Sequence, residues 1–281
     1  MPEDPPTTAP GEAGPDTPLT TGWLPGTPAE DNLVRRTVLA HAAWVETEAR
    51  LTSRPARRSD RLAVNWIGDR GQFTNQALAL QPLVDLAAAA AEIETVCPRP
   101  APCCLFSPWP TGDLAPFGFE LVGHPPLMVR WPGDTRRMAP TPPETSGATV
   151  AEVTTPEELI ELERVLVEGF PLPGIELFEP GCVFPPAVLG DELRFWLVRE
   201  GGRAVACAIG LAAAGMNLVE LVATLPDARR RGHGARATWA VATLDPTLPA
   251  VLIASDDGRP VYERMGFVAL ERWTVWARAS P

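Results

Sequence analysis

The chain has 281 residues, an apolar fraction of 45% and a formal charge of -11 at pH 7. This length allows one large domain or two smaller ones with a substantial core. The negative charge argues against a nucleic-acid partner, because such binding depends on cations that neutralise phosphates.

The five cysteines are irregularly spaced without a CxxC pair, and the three histidines are scattered. We therefore expect no metal site, since a structural zinc site needs about four clustered ligands. The odd number of cysteines favours reduced thiols and a cytoplasmic location. We expect no membrane partner, because there is no signal peptide and no run of about 18 apolar residues.

Residues 1–30 are rich in Pro, Thr, Gly and acidic residues, and we interpret them as a disordered tail. Residues 31–138 predict a smaller N-terminal α/β domain. It opens with a helix from Asn32 to about Ser53, because apolar residues recur there at helical spacing. The pattern then predicts a strand at 62–67, a helix at about 75–93, and strands at 103–106, 117–122 and 126–131.

Residues 139–147 lie in a stretch rich in Pro, Thr and Gly and predict a linker, and residues 148–281 predict a second domain. Thr155, Pro156 and Glu158 form a helix start with a capping box. Strands are expected at 149–153, 193–199, 203–213, 218–224 and 250–254, with further strands at the end of the chain.

The stretch 218–267 contains the residues that we consider candidates for binding and catalysis. A strand ends near Thr224, a turn follows, and an alanine-rich helix begins after the segment Arg-Arg-Arg-Gly-His-Gly at 229–234. A strand that leads through a glycine turn into a helix makes an anion site, because unpaired N–H groups and the helix dipole both point at the turn. Small residues let the backbone approach a phosphate closely.

This stretch resembles the GNAT superfamily of acyl-CoA-dependent N-acyltransferases. Their pyrophosphate motif is Arg or Gln, two residues, Gly, one residue, then Gly or Ala, and Arg229, Gly232 and Gly234 match it. Tyr262, followed shortly by Gly266-Phe267, matches a second family motif. The resemblance implies a GNAT fold for 148–281, with a mixed central sheet flanked by helices.

One segment of the first domain is similar in sequence to a segment of the second. Phe117-Gly118-Phe119 is similar to Met265-Gly266-Phe267, and apolar strands follow both. Residues 31–138 are therefore either a degenerate GNAT-like copy without the phosphate loop or an unrelated small domain.

The resemblance implies acetyl-CoA as co-substrate, with its diphosphate bound by backbone N–H groups of the glycine turn and by arginine charge. It also implies a bulged strand whose N–H faces the thioester carbonyl. The residues expected to bind the co-substrate are Val222, Ala223, Thr224, Arg229, Arg230, Arg231, Gly232, His233, Gly234, Ala235 and Ser255. Ser255 is equally explained as a helix cap, and the side chain of His233 is expected on the helix surface.

Tyr262, the only tyrosine, is the expected general acid for the departing thiolate, with a packed structural tyrosine as the alternative. Glu220 is the candidate base. The two-residue period of a strand predicts that it shares a face with Val222 and Thr224. A strand carboxylate without a catalytic role is the alternative.

The sequence thus predicts an N-acetyltransferase that moves an acetyl or other short acyl group to an amine of a small molecule or a protein. Two other hypotheses stay open: a non-catalytic acyl-CoA sensor, and an interaction protein whose first domain is the working part. A homodimer is left open as well.

Overall fold

The computed structural model describes residues 33–68, 71–132, 147–170, 172, 174–175 and 177–278. The predicted tail at 1–30 lies outside these residues. Of the predicted linker at 139–147, the described residues include Gly147.

The first half of the chain alternates helices and short strands. Its elements are α1 (Leu33–Leu51), β1 (Ala56–Arg58), β2 (Leu62–Asn65), β3 (Gln76–Ala79), α2 (Leu86–Val96), β4 (Cys103–Ser107), β5 (Glu120–Gly123) and β6 (Pro126–Arg130). The helix predicted at 75–93 is wrong over its first part, where β3 lies. All four residues of β3 are buried, so the polar–apolar alternation that identifies a strand is missing.

The second half begins with the predicted strand and capped helix. Thr155 Oγ1 accepts a hydrogen bond from Glu158 N at 3.3 Å, which confirms the capping box. The elements are β7 (Ala148–Glu152), α3 (Pro156–Gly169), β8 (Arg194–Glu200), β9 (Arg203–Ala213), β10 (Met216–Thr224), α4 (His233–Ala242), β11 (Ala250–Ile253), α5 (Arg259–Arg264), β12 (Val268–Arg272) and β13 (Thr274–Arg278).

The two halves exchange a strand. One sheet has the order β1-β2-β3-β4-β13-β5, and the other has the order β12-β6-β11-β10-β9-β8-β7. Strand β6 of the first half therefore lies between β11 and β12, while β13 of the second half lies between β4 and β5. The predicted domains, 31–138 and 148–281, divide the chain by sequence position. Each sheet contains one strand from the other half of the chain, so this division stays a prediction.

The two halves also repeat the same order of elements. In each, an antiparallel run leads through a helix, α2 or α4, to a strand, β4 or β11, that runs parallel to the strand before the helix. A short helical turn, an edge strand and the exchanged strand complete each half. This shared order favours a degenerate copy over an unrelated small domain.

Helix α1 lies between the two sheets. It contacts β1, β2 and β3 of the first sheet, and β9 and β10 of the second. Its buried residues include Val38, Trp44 and Val45, together with the polar His41 and Glu48. A surface helix buries one apolar face, whereas a helix between two sheets also buries residues of the opposite face. Polar side chains of α1 are therefore enclosed as well.

Candidate active site

Strand β10 contains a bulge at the predicted place. Glu220 pairs with Ile209 and Ala223 with Cys207, so β10 has one residue more than β9 over this interval. Leu221 has a φ of 46°, an uncommon conformation for a residue with a branched apolar side chain. Such bulges bend a strand and interrupt its ladder.

The bulge lies beside an opening in the sheet. In the described structure β10 pairs with β11 at Asn217 and Leu218, and the two strands part from there on. Asn217 fixes the closed end, since its Nδ2 donates to the carbonyls of Ala242 at 3.1 Å and Asp245 at 2.8 Å. The backbone of β10 beyond Leu218 therefore borders a wedge that an extended ligand can enter.

The glycine turn lies next to this wedge. Arg230 has a φ of 64° and Gly232, the N-cap of α4, has a φ of 82°. The backbone hydrogen bond from Arg236 N to Gly232 O, at 3.1 Å, is the first of the helix, so the preceding amides have no acceptor within it. A Cβ on Gly234 would lie 3.0 Å from Thr224 Oγ1, so this glycine lets α4 approach β10 closely.

The three arginines of the turn differ in role. Arg229 donates to the carbonyls of Thr224 at 3.2 Å and Gly169 at 3.1 Å, which ties the ends of β10 and α3 together. Arg231 pairs with Glu200 at 2.8 Å. Arg230 is exposed and makes no hydrogen bond or ion pair with the described residues. Its guanidinium is therefore the one most available to an anion.

His233 does not lie on the helix surface, and that expectation is wrong. Its side chain is buried, with Nε2 3.5 Å from Glu200 Oε1. It shares the sheet-facing side of α4 with Ala237 and Val241, which are both buried. Its backbone amide still belongs to the N-terminus of the helix.

Tyr262 lies in α5 with its ring packed edge-on against Phe267 at 5.9 Å between centroids. A Cβ on Gly258 would lie 3.1 Å from Tyr262 Cε2, so that glycine leaves room for the ring. Burial raises the pKa of Tyr262 to about 12, the Thr238 hydroxyl opposes the rise, and the Glu220 carboxylate adds to it. The phenol therefore keeps its proton at neutral pH, as a general acid must.

The face predicted for Glu220 is wrong. The extra residue in β10 reverses the alternation, so Glu220 lies on the side of Ala223 and away from Val222 and Thr224. It faces α1, where Glu220 Oε1 lies 3.4 Å from His41 Nδ1. Burial raises the pKa of Glu220 to about 8, which suits a base at mildly alkaline pH.

Sequence reasoning missed two residues of this site. Thr238 is a buried hydroxyl on α4 beside Tyr262, and His41 comes from the first half of the chain. Neither belongs to a local motif. A sequence signal for His41 was its place inside the apolar run from Val38 to Val45 of α1.

The described residues between α3 and β8 pack partly on the core. Ile175 and Phe184 are buried, whereas Leu177 is exposed. The buried Glu163 fixes the segment by accepting backbone hydrogen bonds from 181, 183 and 184 at 2.7 to 2.8 Å.

Ser255 caps the turn before α5. Its Oγ accepts a hydrogen bond from Gly258 N at 3.0 Å, and its carbonyl accepts from Arg259 N at 2.9 Å. These contacts account for the residue as a cap, and a contact with the co-substrate stays a prediction.

The first half has an acidic residue where the second half has its glycine turn. Helix α2 begins after Asp85, whose Oδ1 accepts from Ala88 N at 2.9 Å. The Asp85 carboxylate thus accepts from one of the amides that would otherwise meet an anion. Helices α2 and α4 each connect two parallel strands in the described structure. Of these two helices, α4 is therefore the one whose N-terminus is the candidate anion site.

Two features of other functional classes are missing from the described part of the chain. No group of three or more His, Cys, Asp or Glu side chains there could hold a metal ion. None of the helices in that part has the length and apolar character needed to cross a membrane.

Comparison with known proteins gave matches among solved structures. No family model and no curated protein matches the chain. A GCN5-related N-acetyltransferase from Kribbella flavida is 25% identical, with 85% of this chain and 95% of that chain covered and a TM-score of 0.58. A protein assigned to the GNAT acetyltransferases from Novosphingobium aromaticivorans is 18% identical, with 87% and 99% covered and a TM-score of 0.55.

A conserved protein of unknown function from Staphylococcus epidermidis has the same fold at 12% identity, with 82% of this chain and 96% of that chain covered and a TM-score of 0.53. The class is thus a two-sheet α/β protein with the GNAT fold, which confirms the fold predicted from the sequence. The chain belongs to the GNAT superfamily, and its likeness to these structures supports acyl transfer as the broad activity.

Proposed function

We propose that the protein transfers an acetyl or other short acyl group from its coenzyme A thioester to an amine. The proposal rests on the observation that three features of the structure lie at one place. The bulge of β10, the glycine turn before α4 and the Tyr262 phenol all border the wedge between β10 and β11.

The glycine turn supports binding of the diphosphate. The amides from Arg230 to Ala235 lie at the positive end of α4, and the Arg230 guanidinium is available beside them. The positive φ of Gly232 suits a residue without a Cβ, so the backbone can approach phosphate oxygens.

The wedge supports binding of the thioester arm. An extended pantetheine chain can pair with the backbone of β10 at 222–224, where the strand has left β11. A backbone N–H at the bulge is then the proposed donor to the carbonyl oxygen, which gains negative charge during attack.

Glu220 and Tyr262 supply the proton transfers. The Glu220 carboxylate accepts a proton from the incoming ammonium, and the free amine attacks the thioester carbonyl. The new C–N bond forms, the C–S bond breaks, and the thiolate takes the phenol proton of Tyr262. The amine nitrogen loses its remaining excess proton, which returns the phenolate to its acid form.

The acceptor is an amine of a small molecule or of a protein. We propose that the stretch between α3 and β8 borders the acceptor cleft, since its residue Leu177 is an exposed apolar side chain. A cytoplasmic location and the absence of a nucleic-acid partner stay predictions.

The first test is binding. Acetyl-CoA at about 100 times its dissociation constant should stabilise the protein by roughly 2.7 kcal/mol, which a thermal-shift series can detect. Free CoA and longer acyl-CoAs measure the acyl preference, and an amine panel with thiol detection then finds the acceptor. Absence of any shift with every thioester contradicts the proposal.

The second test is Tyr262→Phe. Loss of a positioned acid should lower kcat by about 10²- to 10⁴-fold, while the thermal shift with acetyl-CoA is retained because the ring remains. Wild-type binding without turnover on any amine would instead favour the acyl-CoA sensor. Unchanged turnover in the variant would exclude Tyr262 as the acid.

A further inference from the structure

A buried polar chain connects the two halves of the protein. His41 Nε2 lies 2.8 Å from Gln76 Oε1, and His41 Nδ1 lies 3.4 Å from Glu220 Oε1. The imidazole lies between Phe106 and Trp273, at 5.3 and 5.9 Å between ring centroids. The ring is therefore fixed by packing as well as by polar contacts.

Gln76 determines which nitrogen of His41 carries the hydrogen. Gln76 Nε2 donates to the Phe73 carbonyl at 2.8 Å, so the amide oxygen faces the imidazole. An amide oxygen accepts, and the adjacent His41 Nε2 must donate. A neutral imidazole has one N–H, so Nδ1 presents a lone pair to Glu220.

Two acceptors cannot face each other in an apolar interior without a proton between them. Neither Nδ1 nor Glu220 Oε1 has another hydrogen-bond partner within the described residues. Burial lowers the pKa of His41 to about 4, opposed by the hydrogen bond that His41 donates to Gln76, and burial raises the pKa of Glu220 to about 8. The proton therefore resides on Glu220 and is donated to Nδ1 at neutral pH.

The other groups facing this pair add negative charge or none. Glu48, two turns along α1, has its pKa raised to about 8 by burial, with the Asn65 hydrogen bond opposing and Glu220 adding. Tyr262 faces Glu220 from α5 as a neutral phenol. Neither group supplies a positive charge that would favour the ionised form of Glu220.

We propose that His41, from the first half of the chain, is a positioning residue that holds the proton of the base Glu220 and thereby sets the pH at which the base becomes available. This role rests on the proposed acyl transfer. When the pair has lost its proton, Glu220 accepts one from the ammonium substrate, and the resulting O–H is donated to Nδ1. Nδ1 is the His41 atom that contacts the transferred proton, while Nε2 stays bonded to Gln76.

The direct test needs no substrate. The full chain contains three histidines, so the 15N-labelled imidazoles can be assigned with a His41→Phe variant. His41 should be the Nε2–H tautomer at pH 6 to 9, and its Nδ1 signal should shift once near pH 8. Glu220→Gln should abolish that shift. An Nδ1–H tautomer, or a shift that persists in Glu220→Gln, overturns the proposal even if no turnover has been found.

The kinetic test uses Gln76→Met, which leaves both His41 and Glu220 in place. Without the acceptor at Nε2, the imidazole can donate from Nδ1 to the carboxylate. The midpoint of the acid limb of the kcat/KM profile should then shift to a lower pH by at least about one pH unit. The thermal shift with acetyl-CoA should be unchanged. His124→Asn, at an exposed histidine, is the matched control and should leave the profile unmoved. An unmoved limb in Gln76→Met overturns the proposal, and if that variant does not fold, the wild-type tautomer decides.

Discussion

Arg230 and Gly232 turn the chain so that successive amides point to one side. Both have positive φ, but Gly232 adopts it without steric cost, whereas Arg230 adopts a conformation that side chains usually avoid. Strain of this kind persists where the surroundings fix it and is frequent at ligand sites. The proposed diphosphate is the group that would benefit from it.

Gly232→Ala tests this geometry against a matched glycine. Gly202 has a φ of 83° in the β8–β9 turn, almost equal to the 82° of Gly232, and a Cβ there would meet nothing within 4 Å. Each alanine should cost about 1 kcal/mol in the free energy of unfolding. Acetyl-CoA titrations followed by thermal melting should show weaker binding in Gly232→Ala and unchanged binding in Gly202→Ala. Equal affinities for the two variants would contradict the proposed site.

At this scale the sequence predicted residues that belong to local motifs. Tyr262, Gly232 and Gly234 could be assigned to the candidate site because their spacing along the chain carries the signal. His41 and Thr238 were missed because each meets its partner through the fold, as when His41 contacts a strand 179 positions later. The side chain of Glu220 was assigned to the wrong face because a period of two holds only in an unbulged strand.

At the scale of elements, boundaries marked by caps or turns were predicted well. The capping box of α3 and the glycine pair between β8 and β9 are examples. Strand β3 was missed because buried alanine and leucine fit a helix as well as a strand. The exchange of β6 and β13 has no local signal, since each strand has the same composition whichever sheet receives it.

The exchange predicts that the second half cannot fold by itself. Residues 145–281 lack β6, which pairs with β11 along Ala250–Ile253 and with β12. Their β13 would also lose its partners β4 and β5. We expect this fragment to be insoluble or to melt without a cooperative transition. Co-expression with residues 1–144 should restore a complex with the melting profile of the intact chain, and a cooperative melt of the isolated fragment would contradict the prediction.

At the scale of the whole molecule, the enclosed carboxyl groups couple stability to pH. The folded-state pKa values of Glu48 and Glu220 are both raised to about 8, so the folded protein holds protons that the unfolded chain has released. This contribution is fully present below the unfolded pKa and is lost as pH rises through the folded value. His41 acts in the opposite direction, but only below pH 6.5, because its pKa is lowered.

The free energy of unfolding should therefore fall between pH 6.5 and 8, by at most about 1.4 kcal/mol per pH unit for each of the two groups. Urea titrations at four pH values measure this slope. Glu48→Gln, which removes one titrating group and keeps the shape, should make the slope shallower. A wild-type stability that stays constant over this range would show that neither carboxyl is protonated in the folded protein.

Because the two halves exchange a strand, the sheet that bears the candidate site depends on the first half of the chain. The first half has the Asp85 cap where the second half has its glycine turn, yet it contributes the internal strand β6 to the sheet that bears Glu220 and packs α1 against that sheet. Deletion of the first half would therefore remove an internal strand from the sheet of the second half. Laboratory evolution toward new acceptors can accordingly be expected to yield substitutions between residues 33 and 130, far along the chain from the phenol.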